Sequence, residues 1–131
     1  MIDEIKYLRT RHGRKYFEFT DETFVLGQEK IFDLCDRLKQ EALGVRWSAS
    51  ARVNLVTRDL LSEMASAGCD ALFFGIESGS DRVLERVRKD FTIGEALDAL
   101  HTTLEYMRPV ASFIWGFPFE TEEDMTKTLL T

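Results

Sequence analysis

The stretch MASAGCDALFFGIESGSDRVL, residues 64–84, decides the fold prediction. It starts inside an amphipathic helical pattern over residues 58–67, which Gly68 can end. The run ALFFGI, residues 71–76, is continuously apolar, as is typical of a parallel strand covered on both faces. A polar turn follows, and Ser80 can cap the next helix. The stretch therefore predicts a helix–strand–helix unit.

The same order of elements recurs along the whole chain. Gly44 can end a second helix, and the spacing of Thr92 with Glu95 and of Thr121 with Asp124 predicts capping boxes that open two more. Predicted helices cover residues 3–12, 28–43, 58–67, 81–89, 93–107 and a stretch after 121, and predicted strands cover residues 16–20, 45–52, 71–76 and 110–115. Serial repeats of this kind predict an α/β fold with a parallel sheet.

Alternation of side chains along the predicted strands favours a barrel over a flat sheet. One face of each strand is apolar and the other is mostly small, hydroxylated or charged: Trp47, Ala49 and Ala51 oppose Ser48, Ser50 and Arg52, and Phe113 and Trp115 oppose Ser112, Ile114 and Gly116. A doubly wound sheet needs helices on both faces, whereas a barrel leaves one face for a ligand. Closed barrels of this type use about eight strands. We therefore expect a partial (β/α) TIM-type barrel fragment, with about four parallel strands and helices on the outer face, in a single domain over residues 1–131.

Composition narrows the class of protein. The chain has 131 residues, of which 44% are hydrophobic and 31% charged, as in an ordinary globular domain. It has no apolar run long enough to span a membrane and no apolar signal segment, so we expect a cytoplasmic protein. A net charge of −6 argues against nucleic acid as the main partner. Cys35 and Cys69 are predicted to be small buried residues rather than ligands.

Polar residues fall at the predicted carboxyl ends of the strands, where βα folds bind ligands. They include the carboxylates of Asp21, Glu22, Glu77 and Glu120 and the guanidinium group of Arg52. A carboxylate can accept both hydroxyls of a ribose, and an arginine can pair with a ligand carboxylate. These residues suit a polar ligand that carries a ribose, an ammonium group and a carboxylate.

Four segments together resemble successive strand ends of radical S-adenosylmethionine (SAM) enzymes: TDETF (20–24), WSASARVN (47–54), MASAGCDALFFGIESGSDRVL (64–84) and FIWGFPFETEEDM (113–125). The resemblance covers almost the whole chain. It is nearest to the branch with cobalamin-binding members and the anaerobic magnesium-protoporphyrin IX monomethyl ester oxidative cyclase. It implies an open barrel of six strands and a 4Fe–4S cluster that reduces SAM to a 5′-deoxyadenosyl radical, which takes hydrogen from a small-molecule substrate. Cobalamin is a further cofactor that this branch implies for the full-length parent.

The resemblance also implies that eight residues bind the cofactor. They are Glu77 at the ribose with Ser78 beside it, Arg52 and Ser50 at the methionine end, Gly116 and Pro118 packed on the adenine, and Asp21 and Glu22 as polar contacts to SAM or the substrate. Phe119 departs from the family pattern, which usually has glycine at that place.

The expected cluster-binding motif CxxxCxxC is missing from the sequence. Thiolates hold such clusters, and Cys35 and Cys69 cannot replace three closely spaced cysteines. We therefore expect this chain to bind no cluster and to be inactive alone, with the motif upstream of Met1 in a longer parent. A partial barrel has open strand edges, so we also expect self-association.

Two other functions stay open at this point. The four strand-end carboxylates could hold a divalent metal in a TIM-type lyase, although no lysine or histidine accompanies them at the predicted strand ends. Alternatively, the chain could be a non-catalytic scaffold domain with a degenerate site.

Overall fold

The structure is a computed structural model that describes residues 1–20, 24 and 27–131. Helices and strands alternate along these residues. The helices are α1 (Ile2–His12), α2 (Gln28–Gln40), α3 (Arg58–Ser66), α4 (Asp81–Arg86), α5 (Ile93–Leu104) and α6 (Glu122–Leu130), and the strands are β1 (Tyr16–Phe19), β2 (Arg46–Ala51), β3 (Cys69–Glu77) and β4 (Arg108–Phe113). The longest helix, α2, has 13 residues, and none in the described ranges is long and apolar enough to cross a membrane.

The four strands form one parallel sheet in the order β1-β2-β3-β4. Each strand pairs with the next strand along the chain, whereas a doubly wound sheet reverses its strand order at a switch point. This confirms the predicted α/β fold of four parallel strands joined by helices. Strands β1 and β4 are the edges of the sheet, and self-association through them stays a prediction.

One face of the sheet forms the core with the helices. Trp47, Ala49, Leu72, Phe74 and Ile76 are all buried, which confirms the predicted apolar face of the second and third strands. They share one cluster with buried residues of the helices, among them Ile31, Leu34, Leu38, Leu60, Leu61 and Met64. Burial of apolar side chains from α1, α2, α3 and α5 in this cluster holds these four helices on that face.

The prediction for the end of the fourth strand is wrong. Strand β4 stops at Phe113, and Trp115 is 48% exposed rather than packed on the apolar face. The pairing of β3 with β4 is irregular between Gly75 and Glu77, so Phe113 pairs with Glu77. The backbone then turns at Gly116, where φ is 86°. The irregular pairing and this turn take Trp115 out of the strand.

Candidate functional site

A cavity of about 550 Å³ lies at the carboxyl end of the sheet. It is lined by residues of β2, β3 and β4 and of the connection between α4 and α5: Ser50, Arg52, Phe73, Glu77, Lys89, Phe91, Val110 and Ser112 are among them. Three residues predicted from the sequence, Ser50, Arg52 and Glu77, therefore meet in one place. Parallel α/β folds bind ligands at this end of their strands.

A second cavity, of about 600 Å³, lies between α1, β1 and α2. Its lining is more apolar and includes Ile5, Leu8, Phe17, Ile31 and Leu34. The three predicted residues named above do not line it. The polar cavity at the strand ends is therefore the candidate site, although it is slightly the smaller of the two.

Glu77 is the last residue of β3 and makes a salt bridge inside the cavity. The Lys89 Nζ lies 3.0 Å from the Glu77 Oε1 and donates a second hydrogen bond, of 2.8 Å, to the Gly75 carbonyl oxygen. The side chains of Glu77 and Lys89 are 19% and 25% exposed. Because both groups are partly buried, salt in solution screens this pair less than a surface pair.

Lys89 is a site residue that sequence reasoning missed, because the predicted helix ran on to it. Helix α4 ends at Arg86, and Arg88 has a left-handed backbone with φ of 59°. The Lys89 N–H bonds to the Leu84 carbonyl and the Arg88 N–H to the Glu85 carbonyl, which is the Schellman pattern of a helix end. Glycine usually occupies the left-handed position of that motif, and an arginine there gives no sequence signal.

Arg52 follows β2 at the mouth of the cavity. Its side chain is half exposed, and its Nη2 lies 3.4 Å from the Asp90 Oδ2. Exposed ion pairs of this kind contribute little to stability, so the contact with Asp90 does not hold the guanidinium group in place. Arg52 is therefore free to pair with a carboxylate on a ligand.

Ser78 does not line the cavity, because its side chain is fully buried against α6. The Ser78 Oγ lies 3.1 Å from the Thr128 Oγ1, and the Gly79 N–H donates to the same threonine oxygen at 2.9 Å. The Ser80 N–H in turn donates to the Ser78 Oγ. The structure thus places Ser78 where it joins the turn after β3 to the last helix.

A buried carboxylate reinforces this junction. Asp124 of α6 accepts a hydrogen bond of 2.5 Å from the Ser80 hydroxyl, a bond from the Thr121 hydroxyl and a salt bridge from Arg82. The Arg82 guanidinium, helped by these two hydroxyls, holds the pKa of Asp124 well below its ordinary value. The ionised carboxylate therefore stabilises the folded chain.

Asp124 is expected to make stability depend on pH. Its pKa is lower in the folded than in the unfolded chain, where it is about 3.9. The stabilisation is therefore fully present above that value and is lost as the pH falls towards the folded-state pKa. Asp124→Asn should be less stable at pH 7 and should lose stability less steeply in acid, as measured by urea unfolding from pH 7 to about pH 2.5. Asp33→Asn, at an exposed position on α2, is the control. Parallel curves for wild type and Asp124→Asn would contradict this role.

The model of the radical SAM superfamily matches residues 1–131 of the chain. The chain belongs to the radical SAM superfamily. This confirms the family that the four sequence segments indicated. Proteins with similar sequences are named as methyltransferases, methylthiotransferases and cyclases. The chain is therefore related to enzymes of several reaction types.

Individual relatives cover nearly all of this radical SAM chain. An uncharacterized methyltransferase of Pyrococcus horikoshii is 38% identical over 130 residues, which are 98% of this chain and 28% of that protein. The anaerobic magnesium-protoporphyrin IX monomethyl ester cyclase of Rubrivivax gelatinosus is 30% identical over 131 residues, which are 98% of this chain and 24% of the cyclase. The chain thus spans about a quarter of the length of these curated relatives.

Solved structures share the fold. The cobalamin-dependent SAM radical enzyme OxsB superposes with a TM-score of 0.85 at 21% identity, over 98% of this chain and 20% of that chain. The TsrM methyltransferase of Kitasatospora setae superposes with a TM-score of 0.80 at 15% identity, over 98% and 27%. At these identities the likeness concerns the fold alone, and it supports the barrel-type arrangement of the four strands.

The turn predicted to pack on adenine lies apart from the cavity lining. Gly116 and Pro118 are both exposed, and the Gly116 and Phe117 N–H groups donate to the Glu120 Oε2 at 2.8 and 3.3 Å. Phe119, the departure from the radical SAM pattern, has its ring covered by the Arg86 guanidinium at 4.7 Å. The turn is thus held by its own contacts, and its role at an adenine stays a prediction.

Glu120, the other predicted carboxylate in the described part of the chain, does not join Glu77. Asp21 and Glu22 lie outside the described residues, so their contacts to SAM or the substrate stay predictions. Glu120 binds the backbone of its own turn. Among residues 1–20, 24 and 27–131, no three His, Cys, Asp or Glu side chains come together as a metal site. The structure thus offers no observation that favours the lyase hypothesis.

The two cysteines do not fit the iron–sulfur cluster of radical SAM enzymes. Cys35 and Cys69 are both buried in the core. Burial raises the pKa of each thiol to about 12, so both are protonated at neutral pH. Cluster ligands are thiolates, and a protonated core thiol cannot serve as one without unfolding its surroundings.

Proposed function

We propose that the cavity at the strand ends binds SAM and that the full-length protein uses it for radical chemistry. One observation carries the proposal: Glu77, Arg52 and Ser50, which the sequence singled out separately, line a single cavity. Its volume of about 550 Å³ lies in the usual range for small-molecule sites. The superfamily match over the whole chain supports the same ligand.

Each polar group has a place in this proposal. The Glu77 carboxylate accepts hydrogen bonds from the two ribose hydroxyls. These bonds are stronger than bonds between neutral groups because the acceptor is charged. Arg52 pairs with the methionine carboxylate, and the Ser50 hydroxyl lies beside it on β2. One-electron reduction of bound SAM would break its C5′–S bond and supply methionine and the 5′-deoxyadenosyl radical. The residues of this chain bind and orient the nucleoside.

The cluster and the substrate belong, in our proposal, to the rest of the full-length protein. The cysteines of this chain do not fit a 4Fe–4S cluster, so we propose that its ligands lie outside these 131 residues. Cobalamin is proposed as a further cofactor, since cobalamin-dependent radical SAM enzymes share the fold. Methyl transfer is supported by the relative at 38% identity and tetrapyrrole cyclisation by the cyclase at 30%.

Substitution of Glu77 by glutamine is expected to weaken SAM binding about 10- to 100-fold, because a hydrogen bond to a charged group contributes about 1.5–3 kcal/mol. Isothermal titration calorimetry of this chain with SAM measures the change. Glu29→Gln, at an exposed position on α2, is the matched control and should bind like the wild type. Equal affinity of Glu77→Gln and wild type, or no binding by the wild type, would refute the proposal.

A further inference from the structure

We propose that Gly75 and Lys89 are positioning residues that orient the Glu77 carboxylate for the ribose. This inference rests on the proposed function and deepens it. The Glu77 side chain folds back over β3 towards Gly75, and binding of the ribose by Glu77 does not by itself explain this conformation. Three observations support the inference, and they concern the space above Gly75, the backbone of Glu77 and the bonds of Lys89.

Gly75 leaves a space that the carboxylate fills. A Cβ atom built on Gly75 would lie 2.6 Å from the Glu77 Oε1 and 3.5 Å from the Lys89 Nζ. The first distance is shorter than real Cβ contacts allow. Gly75 is not among the glycines with positive φ, so its backbone does not need glycine. The requirement is room for the carboxylate, and any larger residue would displace it.

The backbone of Glu77 is left-handed, with φ of 73°. A residue with a Cβ rarely adopts this conformation, and it persists where surrounding contacts fix it. Here the Glu77 carbonyl accepts a hydrogen bond of 2.9 Å from the Ile114 N–H. The left-handed backbone ends the regular strand at the residue whose carboxylate lies above Gly75.

Lys89 holds the Glu77 carboxylate in place by a salt bridge. Its ammonium group bonds to the Gly75 carbonyl oxygen and to the Glu77 Oε1, so two acceptors on one strand fix it. The segment that carries Lys89 is anchored at both ends, by the Schellman pattern of α4 and by the capping box of Thr92 and Glu95 in α5. A rigid support of this kind places a side chain more precisely than a free loop does.

As a result, Lys89 occupies the Oε1 of the Glu77 carboxylate and fixes the direction in which the Oε2 points. Within the described part of the chain, the Glu77 Oε2 accepts no hydrogen bond. A ligand hydroxyl would therefore meet an acceptor whose rotamer is already fixed, and the cost of ordering it is small. Loss of Lys89 would keep the negative charge of Glu77 but release its orientation.

The test separates positioning from a direct contact of Lys89 with the ligand. 5′-Methylthioadenosine carries the ribose diol of SAM but neither its carboxylate nor its ammonium group. Lys89→Met should weaken binding of 5′-methylthioadenosine about tenfold, and Lys89→Arg should restore most of it. In the double variant with Glu77→Gln, Lys89→Met should have no further effect. Lys127→Met, which removes an exposed i,i+4 ion pair of α6, is the control.

Unchanged affinity of Lys89→Met for 5′-methylthioadenosine, or an additive loss in the double variant, would overturn the inference. A ligand-free measurement keeps it separate from the proposed function. The ¹³C signal of the Glu77 carboxylate, assigned with Glu77→Gln, should shift in Lys89→Met and in Gly75→Ala but not in Lys127→Met. If the wild type binds neither nucleoside while this signal shifts, the proposed function fails, and Lys89 still positions the Glu77 carboxylate but not for a ribose. An unshifted signal in Lys89→Met contradicts positioning whatever binds.

Discussion

Replacing Trp47 with alanine is expected to lower the free energy of unfolding by about 3–5 kcal/mol. Trp47 of β2 is completely buried, and its Nε1–H donates a hydrogen bond of 2.9 Å to the Ala67 carbonyl oxygen. Its ring meets those of Phe19 and Phe24 edge-on, with centroids 5.4 and 5.9 Å away. Alanine would leave a cavity where β1, β2 and the end of α3 meet, together with an unpaired carbonyl.

Urea unfolding followed by far-ultraviolet circular dichroism measures this effect without using tryptophan fluorescence. Trp115→Ala removes the same side chain at a position that is 48% exposed. It should change stability by only about 0.5 kcal/mol. Similar losses for the two variants would show that Trp47 does not hold the core as described.

Gly68→Ala is the other large expected effect, a loss of about 2–5 kcal/mol. Gly68 ends α3 with φ of 93°, and a Cβ atom there would lie 2.4 Å from the Val45 carbonyl oxygen. The left-handed backbone costs a non-glycine residue about 1–2 kcal/mol. The clash is with backbone of the segment entering β2, and relieving such overpacking costs about 1–3 kcal/mol more.

Gly44→Ala separates the two contributions to this loss. Gly44 also has a positive φ, of 57°, but a Cβ atom there would meet nothing within 4 Å. Its loss should therefore be limited to the backbone cost of about 1–2 kcal/mol. The thermal midpoints of the two variants should differ clearly, and equal midpoints would rule out the predicted clash at Gly68.

The order of the elements could be predicted because local signals and the overall fold agree. The capping boxes predicted at Thr92 and Thr121 are both present in the structure, and each threonine side chain accepts a hydrogen bond from a backbone N–H. The alternation of Trp47 and Ala49 with polar neighbours gave the buried face of β2 correctly. These features depend only on residues close together in sequence, and nothing distant opposes them.

The parts of the site that escaped prediction depend on contacts between distant residues. The resemblance implies a SAM contact for Ser78, whereas in the structure its hydroxyl bonds to Thr128, 50 residues further on. The left-handed backbone of Glu77 ends the regular strand, and Ser78 after it faces α6 instead of the cavity. Lys89 reaches the cavity through a helix end with arginine in the left-handed position. Neither contact leaves a local pattern in the sequence.

Titration of the ¹⁵N-labelled chain with SAM, followed residue by residue through its amide signals, tests whether the cavity at the strand ends binds SAM. We expect saturable shifts at Ser50, Arg52, Gly75, Glu77 and Lys89, which share the cavity at the strand ends. Shifts confined to the apolar cavity between α1 and α2, or no saturable shifts at all, would contradict SAM binding at the strand ends.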